Sequence, residues 1–265
     1  MASPPIASTS RALPVFQNIQ FRDCVHRNIV GPTTDAVMAA VLGDQCAPGA
    51  APIEAGNLFY GAAQVLGETE FRKVWSEFQK PAAGRKANPL DFADFLSTHE
   101  HGRTLPALPD LARFDLAYTL AAQPGPVPSI ATCCLPEATI RAHRDLMLRF
   151  QPNWRYVELV WPVHRLLADA LTSDVLRSFS AAEPACLRIT PTGMGVTITE
   201  LMPGDFALQS ALRNGLKLGA AMAAAHALDP ALDPFPILTG LVEAGAIMDV
   251  VLHPADVPSL QQPVP

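Results

Sequence analysis

His99-Glu100-His101 is the densest run of metal-ligating side chains in the sequence. Two imidazoles two residues apart share a face on a strand and diverge at a helix end. A metal site needs three or four convergent ligands. The bland alternative is a solvated helix C-terminus, where the dipole favours histidine. Cys133-Cys134 is a second candidate. A nucleophilic or redox thiol needs its pKa depressed by a cation or a helix N-terminus, and Pro136 marks a helix start nearby. Buried, inert cysteines are the simpler reading. No GxSxG, P-loop or GxGxxG element is present, and Gly193-Met194-Gly195 reads as a turn, with no helix following to hold a phosphate. Asp110, Arg113 and Asp115 fall on one expected helix at i, i+3 and i+5. They are either a helix-start charge with a local Asp110–Arg113 pair or a patch that faces a partner. None of these groups makes a convincing catalytic or metal-binding constellation.

The elements that would position them divide the chain in two. Prolines, 26 in all, cut the front into short helices. Apolar spacing predicts helices over 16–29, 34–42, 57–65 and 68–80, the last with Phe71, Val74, Trp75 and Phe78 on one face. Asn88-Pro89 opens a helix to Ser97, and Pro109 fits the first turn of another that ends near Ala122. A Pro-rich break at 123–129 precedes a short extended piece at 132–135. A helix, or a helix and a strand, follows to about Arg149. Tyr156 to Val163 reads as strand, and 164–180 as helix.

The rear reads differently. Ala185–Thr190 and Gly195–Leu201 flank Pro191-Thr192-Gly193-Met194, a hairpin signature. Helices over 205–213, 216–228 and from Pro234 follow, with Asn214-Gly215 ending the first. A strand over 247–252 closes the series. The expected fold is therefore α+β: a lead-in over 1–14, an all-α domain over 15–150, a winged-helix-like domain over 151–254 and a tail over 255–265. In that second domain Leu187, Ile189, Val196 and Ile198 would face the helices as core. Arg188, Thr197 and Thr199 would face away, free for contact. An open hairpin edge carries unpaired N–H and C=O groups, to which an extended peptide can add as a strand.

Composition narrows the partners. The net charge is -6, with 19 Lys and Arg scattered through the chain. Binding to phosphate backbones needs clustered cations, so neither nucleic acid nor an anionic membrane is an expected partner. A DNA-binding regulator is the alternative that the winged-helix order suggests. Its recognition helix would be Pro234 to Glu243, which carries a glutamate and no basic residue. No apolar run reaches the roughly 18–20 residues of a membrane span, and the first fourteen residues lack the apolar core of a signal peptide. Five cysteines without CxxC spacing suggest reduced thiols and a cytoplasmic protein.

Several segments resemble a known family. Val65-Leu66-Gly67-Glu68-Thr69-Glu70-Phe71 is similar to its LvGEexF step. Leu105-Pro106-Ala107-Leu108-Pro109-Asp110-Leu111-Ala112-Arg113-Phe114-Asp115 is similar to its LPyLxDLArLE helix. Leu135-Pro136-Glu137, Leu148 to Arg155 and Trp161-Pro162-Val163 resemble its LP…LrLhPslrl…yPV stretch. The family is that of the HvfC/BufC partner proteins of multinuclear non-haem iron-dependent oxidative (MNIO) enzymes. It is related in plan to the partner subunits of the methanobactin and thiaglutamate pathways. The likeness runs from Phe16 to Val163 and is weaker beyond. Pro109 replaces a non-proline, and Asp115 stands where glutamate is common. The resemblance implies a non-catalytic subunit in a heterodimer with an MNIO iron enzyme. The helical domain, with Asp110, Arg113 and Asp115 at the interface, would dock on the enzyme. The rear module would act as a RiPP recognition element and hold the leader of a ribosomally made precursor peptide, presenting a cysteine for oxidative modification. The resemblance implies no cofactor in this chain and iron in the partner enzyme.

Overall fold

The computed structural model describes residues 55–80, 87–122, 144–166, 171–193 and 195–251. The helices expected over 16–29 and 34–42, the extended piece at 132–135, Cys133-Cys134 and the tail lie outside those residues. The protein is a mixed α+β structure with two compact units. Among the described residues, 55–122 and 152–201 belong to the first unit, and 144–151 and 202–251 to the second.

The first unit begins with helices α1 (Ala55–Leu58), α2 (Tyr60–Leu66) and α3 (Glu68–Phe78). Asn88 then accepts a hydrogen bond from the Leu90 amide and caps a 3-10 turn with Pro89 at its start, as the sequence predicts. Helices α4 (Phe92–Thr98), α5 (Glu100–Thr104) and α6 (Leu108–Ala121) follow. Aromatic rings bind this layer together. Phe92 is fully buried, with the rings of Phe59 at 4.7 Å and Trp75 at 5.0 Å. Each such pair adds about 1 kcal/mol to the burial itself. Helix α6 is buried along twelve of its fourteen residues, both aspartates included, so it runs through the core of this unit.

Strands β2 (Arg155–Leu159), β3 (Ala185–Thr192) and β4 (Gly195–Leu201) form an antiparallel sheet in the order β2-β3-β4. The hairpin is present, but β3 runs on through Pro191 and Thr192, which the sequence reading gave to the turn, and Thr192 stands opposite Gly195. Its place in the molecule differs as well. The sequence reading put the hairpin with the C-terminal helices; it instead pairs along β2, Tyr156 facing Arg188 and Leu159 facing Ala185. Leu187 and Ile189, both 0% exposed, join one core with Leu58, Phe92, Leu108 and Phe114. The physical reason is β2: five residues of cross-strand pairing and the apolar Val157 and Leu159 bind the hairpin to the helical layer. The expected boundary near 150/151 is corrected accordingly. The helix expected over 164–180 is also corrected. Its described parts are a 3-10 turn at Val163–Leu166 and a short helix α7 (Ser173–Arg177), begun where Thr172 accepts from the Val175 amide.

The second unit holds β1 (Met147–Phe150), α8 (Pro203–Arg213), α9 (Leu218–Leu228), α10 (Pro234–Glu243) and β5 (Ile247–Val251). Strands β1 and β5 pair antiparallel, Leu148 opposite Val250. Gly215 ends α8 with φ of 81°, and the Leu216 amide reaches back to the Ala211 carbonyl. Asp233 caps α10 by accepting from the Phe235 amide. Leu208, Leu212, Leu218, Ala221, Ala225, Leu238 and Ile247 are buried at 0% exposure. Among the described residues no helix is long and apolar enough to cross a membrane.

Candidate functional site

The motif helix α6 places its charges inward. Asp110 is 2% exposed. Its Oδ2 accepts from the Val160 amide at 2.6 Å and the Trp161 amide at 2.8 Å, and its Oδ1 accepts from Arg113 Nη1 at 2.7 Å. A second guanidinium nitrogen, Arg113 Nη2, donates to Asp94 at 2.8 Å. The carboxylate thus pins the chain just past β2 to the first turn of α6, and the arginine spans two acids. Charge-assisted bonds of this kind are the strong ones. The local Asp110–Arg113 pair of the sequence reading is present. The patch facing a partner is not built as expected: Asp110 and Asp115 are buried, and Arg113 alone of the three is partly exposed.

Asp115 is 2% exposed and accepts from the Ala62 amide at 2.9 Å. Burial pushes its carboxyl up to about 8, against smaller opposing effects of the Ala62 and Gly61 amides. At neutral pH this shift favours the protonated acid inside the first unit. Gly61 allows the approach, since a Cβ there would stand 2.9 Å from Asp115 Oδ1.

The hairpin residues sort by face. Leu187 and Ile189 point into the helical core, and Val196 and Ile198 pack against it half-buried. The core they join is that of α1–α6, not of the C-terminal helices. Arg188, Thr197 and Thr199 do lie on the opposite face, but contact there is restricted. The Arg188 guanidinium lies 5.5 Å from the Trp154 ring, and Thr199 is 6% exposed. Thr197 is half-buried. In the order β2-β3-β4, strand β4 pairs on one side with β3, and among the described residues no strand lies along its other side. Cys186 sits on β3, its thiol pushed up by burial and then by Glu158 and Glu200, opposite to the shift that activates a thiolate.

His99 and His101 each lie within hydrogen-bond reach of a glutamate rather than at a solvated helix end. His99 caps α5, its Nδ1 accepting from the His101 amide at 3.3 Å. In the neutral ring the proton therefore sits on Nε2, 3.3 Å from Glu77 Oε2. His101 Nε2 lies 3.2 Å from Glu70 Oε1. Lys73, and then His101, holds the Glu70 carboxyl below its ordinary value. Both glutamates stand seven residues apart on α3, so one helix face receives both rings. The spacing Glu70/Glu77 carried that signal in the sequence. Among the described residues no group of three His, Cys, Asp or Glu side chains could hold a metal ion.

One cavity, of about 270 Å³, opens in the first unit. Leu90, Ala93, Ala112 and Ala117 form apolar walls, and Asp94, Arg113, Arg155 and Tyr156 also lie on its lining. Sequence periodicity does not reveal such a space, because alanines on packed helices read as ordinary core. Compared with protein-family models and with curated proteins, the chain matches none.

Proposed function

We propose that this chain is a non-catalytic partner subunit that binds an MNIO iron enzyme and the leader of a ribosomally made precursor peptide. The observation that carries the reading is the outer edge of β4, along which no described strand lies, in a sheet that shares one core with the helical layer. An extended leader adds there as a fourth strand. Main-chain hydrogen bonds supply affinity, and the half-buried Val196 and Ile198 supply apolar neighbours for alternate side chains. The resemblance of the α3 and α6 segments to the HvfC/BufC family supplies the enzyme partner. Iron and oxygen chemistry belongs in this reading to the other chain. Tethering the leader raises the effective concentration of the core cysteine at the active site. The winged-helix-like character rests on the second unit, where α8–α10 pack with the β1–β5 ribbon.

The test is co-expression with an MNIO-type iron enzyme and a short Cys-containing precursor. Co-purification of all three is expected. Val196→Pro, which removes an outward-facing backbone donor from β4 because Val196 stands opposite Pro191 in a pair without ladder hydrogen bonds, should weaken binding of the precursor about tenfold or more and leave the enzyme bound. No complex with the enzyme and no peptide binding sinks the proposal. Salt-dependent binding of duplex DNA would favour the regulator instead.

A further inference from the structure

The two edges of the β2-β3-β4 sheet are built differently. The β2 edge runs against α6. There Asp110 takes the Val160 and Trp161 amides just past the strand, and Tyr156 and Val157 line the cavity together with residues of α4 and α6. Along the outer side of β4 no described strand lies. Edge strands are ordinarily protected by lysine, proline, a bulge or shortness. Strand β4 runs the seven residues Gly195–Leu201, with β-branched side chains from Val196 to Thr199 and no proline or basic residue. It also keeps a regular register with β3.

That register fixes which groups of β4 point outward. Pro191 has no N–H, so its pair with Val196 carries no ladder hydrogen bonds, and the pairs alternate from there. Thr197, Thr199 and Leu201 therefore turn their N–H and C=O groups to β3, and Val196, Ile198 and Glu200 turn theirs away. The same alternation carried across β3 turns Val160 outward from β2, where its amide meets Asp110.

The outward edge is complementary to itself. In an antiparallel pair with a two-fold axis at Ile198, Ile198 faces the same residue of a second copy, and Val196 faces the second copy's Glu200. Every outward group then finds a partner. On the opposite face Thr197 stands beside the second copy's Thr199, a favourable cross-strand pair. Charge selects this register. Glu200 is the one charged residue of β4. An axis at Ile198 keeps the two glutamates roughly 13 Å apart along the strands, beyond the Debye length of about 8 Å in physiological salt. An axis at Glu200 would set them face to face. Each Glu200 also keeps Arg165 Nη2 of its own copy at 3.8 Å. We propose that β4 pairs with β4 of a second copy of this chain, joining two three-stranded sheets into one. A single strand pair buries less than the about 1,200–2,000 Å² of a standard interface. The dimer is therefore reversible, with a Kd on the order of 10–100 µM. One edge takes one strand, so a leader peptide bound at β4 displaces the second copy, but the dimer itself does not rest on the partner-subunit reading.

Sedimentation velocity of the full chain from about 1 µM to about 300 µM should show monomer passing into dimer. Residue-resolved hydrogen exchange then locates the contact. The Val196, Ile198 and Glu200 amides should exchange about tenfold more slowly at the top of that range than at the bottom, while those of Thr197, Thr199 and Leu201, held by β3, should not change. Val196→Pro, which removes an outward donor, should weaken the dimer about tenfold. A monomer at every concentration overturns the proposal. So does a dimer whose three outward amides exchange as fast as in the monomer, or one that a folded Val196→Pro chain forms at parental strength. If that variant fails to fold, the exchange pattern of the parent chain decides alone. A dimer in a chain that binds no precursor upholds this inference and removes the peptide reading. Precursor binding by a strict monomer does the reverse.

Discussion

Asp115 shows how far a single residue can depart from its surface expectation. It reads in the sequence as one of three helix charges, yet its carboxyl is buried and raised from 3.8 to about 8. The unfolded chain ionises this group near its ordinary value, while the native chain keeps the proton. Its contribution to stability is fully present below about pH 3.8. It is lost progressively as pH rises toward about 8, at up to about 1.4 kcal/mol per pH unit. Asp115→Asn keeps an acceptor for the Ala62 amide and cannot ionise. Urea unfolding at pH 5, 7 and 8.5 should show a falling stability in the parent chain and a flatter profile in the variant. Parallel profiles would mean that Asp115 is ionised in the native protein. Nothing in residue type or spacing distinguishes such a buried acid from an exposed one. The i, i+3 spacing does announce the Asp110–Arg113 pair. The amides of Val160 and Trp161, fifty residues away in sequence, complete the site, and no local pattern contains them.

At the scale of elements, capping and turn residues were legible wherever their partners are local. Asn88-Pro89, Asp233-Pro234 and Asn214-Gly215 each stand where the sequence places them. Elements whose limits depend on distant contacts were not. The strand read over 156–163 ends at Leu159, because Asp110 takes the next two amides, and the helix expected beyond it begins as a 3-10 turn. The junction of α4 and α5 is another such place. A Cβ on Gly102 would stand 1.9 Å from the Leu96 carbonyl oxygen. The contact is with backbone, so no side-chain rotation relieves it. Gly102→Ala should lower stability by about 2 kcal/mol or more, through a forced shift of α5. Thermal unfolding checks it, and a change within a few tenths of a kcal/mol would show that the two helix ends separate easily.

At the scale of the molecule, the fold class was legible and the division of the chain was not. Helix-period segments followed by strand-period ones establish α+β. Which strand a hairpin joins depends on non-local pairing, and β2 carries no mark that it belongs with the helices before it. The two divisions predict different outcomes for shortened chains. A chain ending at Phe150 leaves the first unit without β2, β3 and β4, and so without Leu159, Leu187 and Ile189 in its core. It should be unfolded by circular dichroism. A chain ending at Leu201 retains them and should unfold cooperatively. Cooperative unfolding of the shorter chain would restore the boundary near 150.

The pairing of β1 with β5 sets an order on the making of the protein. Met147 lies opposite Val251, roughly a hundred residues further on, and such distant closures form late. A ribosome releases β1 well before its partner exists, and it synthesises all of β2, β3 and β4 in between. During that interval Leu148 and Phe150, buried in the finished unit, have no cover from β5. The nascent chain must therefore carry an unfinished sheet edge while roughly the next hundred residues are made. That interval is when chaperone capture or strand exchange with another nascent copy would compete with folding.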